Sequence, residues 1–113
     1  MDVTKPRPYK EFPLTRQSAK KIIKELAKKY SSRVKFGKHA RERMIERNIT
    51  NRQVFEVLRS DHSFFTEEPH PTPKGNWKFN LQGFAAGATV EVVVDLKRHD
   101  EDPTAFVVTV IVK

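Results

Sequence analysis

The 113-residue sequence predicts an α+β domain whose N-terminal helices pack on a single antiparallel sheet of about four strands. Three observations predict it. Apolar residues recur at helical spacing up to about residue 60, the period shifts to two after Asp61, and residues 105–112 are apolar on both faces, as a central strand is. The length suits one domain that buries a core without metals or disulfides, and a second domain does not fit.

Residues 1–14 carry Pro6, Pro8 and Pro13 among charges and read as a flexible, proline-containing arm, which leaves 15–113 as the domain. Thr15 is positioned to cap a helix from about 16 to 31. Ala19, Ile22, Ile23, Leu26 and Tyr30 form its apolar stripe, while Lys20, Lys21, Lys24, Lys28 and Lys29 crowd the remaining positions. Residues 33–37 form a short extended link. In the next helix His39, Arg43 and Arg47 fall at i, i+4 and i+8, which stacks an imidazole and two guanidinium groups in one row. Beside them Ala40, Met44 and Ile45 form an apolar stripe that docks the helix on a core. Asn48 ends the helix because Asn tolerates the left-handed conformation, and Ile49 follows as its apolar partner.

Thr50-Asn51-Arg52-Gln53 matches a capping box, with Ile49 and Val54 as a hydrophobic staple, and predicts a helix over 51–60 that buries Val54, Phe55 and Leu58. Residues 63–66 read as a short strand and 69–75 as a loop, by its three prolines and one glycine. Trp77, Phe79 and Leu81 alternate with Lys78, Asn80 and Gln82 in a strand with one apolar face, whose alternation favours core packing of Trp77 and Phe79 over the alternative that one of them stacks a base. Residues 83–88 fit a hairpin turn or bulge. Val90, Val92, Val94 and Leu96 define another strand, and Val93 suggests cover on its opposite face. Residues 99–103 are a turn. Thr109 is the one polar residue of the last strand: its branched shape explains it structurally, and a hydroxyl facing a cleft beside His39 explains it functionally.

The sequence has no cysteine, which excludes disulfides, thiolate catalysis and Cys-ligated zinc and agrees with the expected cytoplasmic location. Histidines 39, 62, 70 and 99 lack the paired spacing of a zinc site, so no metal or other cofactor is expected. No apolar run approaches the roughly 20 residues that span a bilayer, so no membrane partner is expected, and residues 1–5 lack a signal core. The net charge of +8 is unevenly placed: residues 1–60 hold 17 Lys/Arg against 6 Asp/Glu, and residues 61–113 hold 5 against 8. That asymmetry points to a polyanionic partner, nucleic acid first, with an acidic protein or an anionic membrane next; a solvated basic surface is the plain alternative.

The run Phe36-Gly37-Lys38-His39-Ala40-Arg41-Glu42-Arg43-Met44-Ile45-Glu46-Arg47-Asn48-Ile49-Thr50, with Val54 and Leu58, resembles the opening of the domain-of-unknown-function 4258 family. That pattern is His-Ala-x-x-Arg-Met-x-x-Arg, an apolar residue and Ser/Thr, then a short helix. Residues 106–110 resemble the family's last strand, so the likeness spans about 36–112. Members of that family look like relatives of RelE-like toxins and barnase-like ribonucleases, helix-then-sheet domains that cleave RNA without metal. The resemblance implies an endoribonuclease site made by His39, Arg43, Arg47 and Thr109. It also implies a toxin–antitoxin setting, with an acidic antitoxin or immunity protein as a partner beside RNA.

Metal-independent cleavage needs a base for the ribose 2′-hydroxyl, cations for the phosphorane and an acid for the leaving 5′-oxygen; its products are a 2′,3′-cyclic phosphate and a 5′-hydroxyl. His39 suits either proton transfer, and Arg43 and Arg47 suit the phosphate oxygens. The second proton-transfer residue is open among Glu42, Glu46, Glu91 and His99. Lys20, Lys24 and Lys28 on the first helix, with Arg41 and Lys78, are expected to contact RNA. Ordinary ion pairs of Glu42 and Glu46 with Arg43, Arg47 or Lys38 would explain the row without catalysis. The alternative function is therefore a non-catalytic module that binds nucleic acid or a partner through the basic N-terminal half.

Overall fold

Helix α1 (Arg16–Lys29) begins where Thr15 and Ser18 cap each other: the Ser18 backbone N–H donates to Thr15 Oγ1 (3.1 Å) and the Thr15 N–H to Ser18 Oγ (2.9 Å). This reciprocal box satisfies two of the donors that every helix start leaves over. The computed structural model describes residues 15–97 and 104–113; the arm expected at 1–14 and the turn at 99–103 lie outside the described residues.

After α1 a single 3-10 turn (Ser31–Arg33) leads into β1 (Val34–Phe36), then α2 (Lys38–Arg47), α3 (Asn51–Arg59), β2 (Phe64–Pro71), β3 (Trp77–Ala85), β4 (Ala88–Lys97) and β5 (Thr104–Val112). Asn48 ends α2 in the left-handed conformation, φ 55° and ψ 41°, and the Ile49 N–H returns to the Met44 carbonyl (2.9 Å). Thr50 and Gln53 cap α3 reciprocally. The starts of α1 and α3 and the end of α2 thus follow from local chemistry within a few residues.

The sheet has five strands in the order β1-β5-β4-β3-β2, antiparallel except for the parallel β1–β5 pair. This corrects the expectation of about four antiparallel strands. The reason is β1: Val34-Lys35-Phe36 is too short to show an alternating pattern, and it becomes a strand only because β5 is there to pair with it. β2 also runs five residues beyond the expected end at 66 and takes in Pro69 and Pro71. It is an edge strand with two register shifts against β3, where a missing N–H costs no ladder bond. The expected turn at 83–88 narrows to Ala86-Gly87, both at positive φ (49° and 82°), and Gly83 belongs to β3.

The core lies on one face of the sheet. Ile23, Leu26, Val54, Val57 and Leu58 from the helices close over Phe79, Leu81, Val90, Val92, Val94, Leu96 and Val107. Ala40 and Met44 join it from α2, but Ile45 is 79% exposed, against the expectation that it would dock. Ala40 and Met44 are one turn apart on the same line, whereas Ile45 is rotated about 100° from Met44. Phe55 is half-buried and meets Phe36 edge-on at 6.0 Å. Gly83 is required where α3 approaches β3, since a Cβ there would run into Ser63 Oγ, which donates to the Val57 carbonyl at 2.6 Å.

Candidate active site

α2 starts where the β1–β5 ladder stops. The Gly37 N–H donates to the Val107 carbonyl at 3.0 Å, and a Cβ on Gly37 would come within 2.8 Å of the Phe106 ring, so this approach needs glycine. The helix then packs against β5, the strand that β1 pairs with over residues 105–107. His39, Arg43 and Arg47 are all exposed there, as is Arg41. His39 is 82% exposed, with Nδ1 3.9 Å from Glu42 Oε2, and Arg43 Nη1 donates to Glu46 Oε2 at 3.0 Å. Two of the three members of the row therefore already hold a carboxylate of their own helix.

Thr109 and Lys78 lie on the sheet face turned away from the core. Cross-strand partners share a face, so the ladders define its rows. Phe64, Gln82, Glu91 and Ile111 form one row across β2, β3, β4 and β5. Asn80, Val93 and Thr109 form the next, and Lys78, Asp95 and Phe106 the third. Thr109 reaches this face through a bulge, because Val93 pairs with Thr109 but Val94 with Val107, leaving Val108 as the extra residue.

Glu91 is the most unusual group on this face, a carboxylate only 5% exposed. Asn80 Nδ2 donates to its Oε2 (3.2 Å), and Lys113 Nζ lies 3.4 Å from its Oε1. Asn80 Oδ1 and Asp95 Oδ1 are buried with no hydrogen-bond partner among the described residues. A buried acceptor left open costs about 1–3 kcal/mol, so this face is short of donors. A ligand bearing N–H or O–H groups would relieve it.

The sequence-predicted residues thus divide into three groups. His39, Arg41, Arg43 and Arg47 lie on α2; Thr109 and Lys78 lie on the outer sheet face; Lys20, Lys24 and Lys28 lie on α1, where Lys20 Nζ donates to the Asp61 carbonyl (2.9 Å) and to that of Ser63, and Lys24 pairs with the Asp61 carboxylate. Thr109 is on the strand that α2 flanks, yet no hydrogen bond joins it to His39 among the described residues. Of the four second proton-transfer candidates, Glu42 and Glu46 are engaged on α2, Glu91 sits on the sheet face, and His99 lies outside the described residues. Asn80 and Asp95 escaped sequence reasoning because alternate polar residues in a strand ordinarily mean solvent.

Residues 36–112 match the model of a family described as Domain of unknown function (DUF4258). No curated protein and no solved structure matches the chain. Among the described residues no helix is long and apolar enough to cross a membrane.

Proposed function

This chain belongs to the DUF4258 family, and we propose that it is a toxin-like, metal-independent endoribonuclease that cleaves RNA to 2′,3′-cyclic phosphate and 5′-hydroxyl ends. The observation that carries this reading is the adjacency of α2, with its exposed imidazole and guanidinium row, to the strand whose outer face holds Thr109 beside the row of Glu91. Phosphoryl transfer of this kind needs positioned charge and two proton carriers, and those residue types are present.

In this reading Arg43 leaves Glu46, and Arg43 and Arg47 take the non-bridging phosphate oxygens, which bind both nitrogens of a guanidinium. His39 transfers the proton at one end of the reacting bond. Thr109 donates to the phosphate. Glu91, fixed by Asn80 and Lys113, supplies the carboxylate for the other proton. The RelE-like and barnase-like kinship of the family belongs to the same proposal, as does an acidic antitoxin or immunity protein covering the basic surface.

The test is to incubate the purified chain with varied RNAs in EDTA and analyse the new ends. Cyclic phosphate and 5′-hydroxyl termini are expected. RNA that is bound yet stays intact would end the enzymatic reading. A second reading, a non-catalytic nucleic-acid-binding or partner-binding module, is favoured by the His39–Glu42 and Arg43–Glu46 pairs, which let α2 serve as a charge-laced surface helix. It predicts salt-sensitive binding that survives His39→Ala and falls with Lys20→Glu and Lys24→Glu.

A further inference from the structure

Two large aromatic side chains stand in water on the same sheet face: Phe64 is 54% exposed and Phe84 73%. Phe64 lies opposite Gln82, and Phe84 is two residues beyond Gln82 on β3, so the two phenylalanines are diagonal neighbours. Diagonal Cα atoms are about 7–8 Å apart. Aromatic side chains of diagonal neighbours are within reach of one another and so of a common flat ligand.

The groove that Phe64 and Phe84 flank has a volume of 460 Å³, and its remaining walls carry Ser60, His62, Gln82 and Thr89. These side chains offer donors and acceptors that the edge of a base could use. A second hollow of 380 Å³ shares Phe64 and is lined by Arg16 and Lys20. Lys24 pairs with Asp61, next in sequence to Ser60 and His62 of the first groove. The aromatic pair is therefore bordered by α1's cations, of which Arg16 pairs with Glu68 and Lys24 with Asp61 across exposed surface, so the phosphates of a strand with unpaired bases would take these cations in competition with those carboxylates. A duplex keeps its bases stacked inside and offers none to the rings.

We propose that the Phe64–Phe84 groove is a stacking site for an unpaired base of single-stranded RNA, whose phosphates lie along Arg16, Lys20 and Lys24. This rests on RNA being the ligand, as proposed above. It assigns base recognition to exposed rings of β2 and β3, while Phe79 is fully buried and Trp77 packs against the core.

Fluorescence anisotropy of the full chain with a short fluorescein-labelled 2′-O-methyl RNA tests it, because that strand lacks the 2′-hydroxyl and is not cleaved. Phe64→Ala and Phe84→Ala should each weaken binding about 5- to 150-fold, the range for loss of one base–aromatic stack. Phe84→Trp should bind at least as well as the parent, and an abasic strand of equal length should bind as weakly as the alanine variants. Both phenylalanines are exposed, so the variants keep the fold, which circular dichroism checks. Parent-like binding by both alanine variants, equal binding of the abasic strand, or no binding by the parent overturns the site. So does a dimer that Phe84→Ala dissociates without changing RNA binding, for the groove is then a contact between copies. Cleavage of unmodified RNA by a protein whose groove variants bind normally overturns this inference alone; groove-dependent binding without cleavage overturns the nuclease reading alone.

Discussion

Arg43 holds Glu46 at 3.0 Å in the described state, and both side chains are about half exposed, so the pair contributes little to stability. Its proposed task is geometric, since a guanidinium meets two phosphate oxygens at once and an ammonium meets them as a point charge. Arg43→Lys should therefore lower RNA cleavage roughly tenfold, about 1.4 kcal/mol of transition-state stabilisation, with melting unchanged. Initial rates and a thermal melt on the same preparation separate the two effects. Asp61 gives a second residue-level expectation. Its hydrogen bond and ion pair with Lys24, with Lys28 and Lys20 beyond, hold its carboxyl below the ordinary carboxylate range. A folded-state pKa depressed in this way stabilises the fold above the unfolded-state value, and that contribution is lost as pH falls through the folded-state value. Asp61→Asn should lower the melting temperature slightly at neutral pH, and the difference should close as the pH is brought below about 4. Because the carboxylate is exposed, high salt should shrink the difference as well. Melts of both proteins across pH and salt measure it.

At the scale of elements, the helix termini were the most legible part of the sequence. Thr15, Asn48 and the Thr50–Gln53 box act through bonds within a few residues, so their meaning does not depend on the rest of the chain. β1 and the far half of β2 were not legible, because each exists by virtue of a distant neighbour, β5 for the one and β3 for the other. The β3–β4 turn was legible only as a region. Ala86 sits at φ 49°, where a Cβ costs about 1–2 kcal/mol, and nothing in its identity announces that conformation. Ala86→Gly should raise stability by roughly 0.5–1 kcal/mol, the relief being partly offset by glycine's greater freedom when unfolded. Urea melts with an unchanged m-value would show it as a higher midpoint; a lower midpoint would mean that the Ala86 side chain stabilises the turn.

For the whole molecule, the division of labour between the two sheet faces decides what the chain can do. One face is closed by the helices over the apolar core, and the other carries Glu91, Asn80, Asp95 and Thr109, with α2 packed against β5. The row on α2 was readable from spacing alone, because helical neighbours are fixed by a period. The company of Thr109 was not, because a bulge at Val108 and the register of three strands determine it. Glu91 looked like one of several acids until the ladders put it in the middle of a sheet face and buried it. In the proposed function this assembly cleaves RNA through His39. The most direct measurement is RNA cleavage in EDTA by the parent chain and His39→Ala, at matched concentration and with matched circular dichroism. Cleavage by the parent is expected, with a loss of about 10²- to 10⁴-fold in the variant, the usual worth of a proton-transfer group. Equal cleavage by the two proteins, or intact RNA with both, would contradict it.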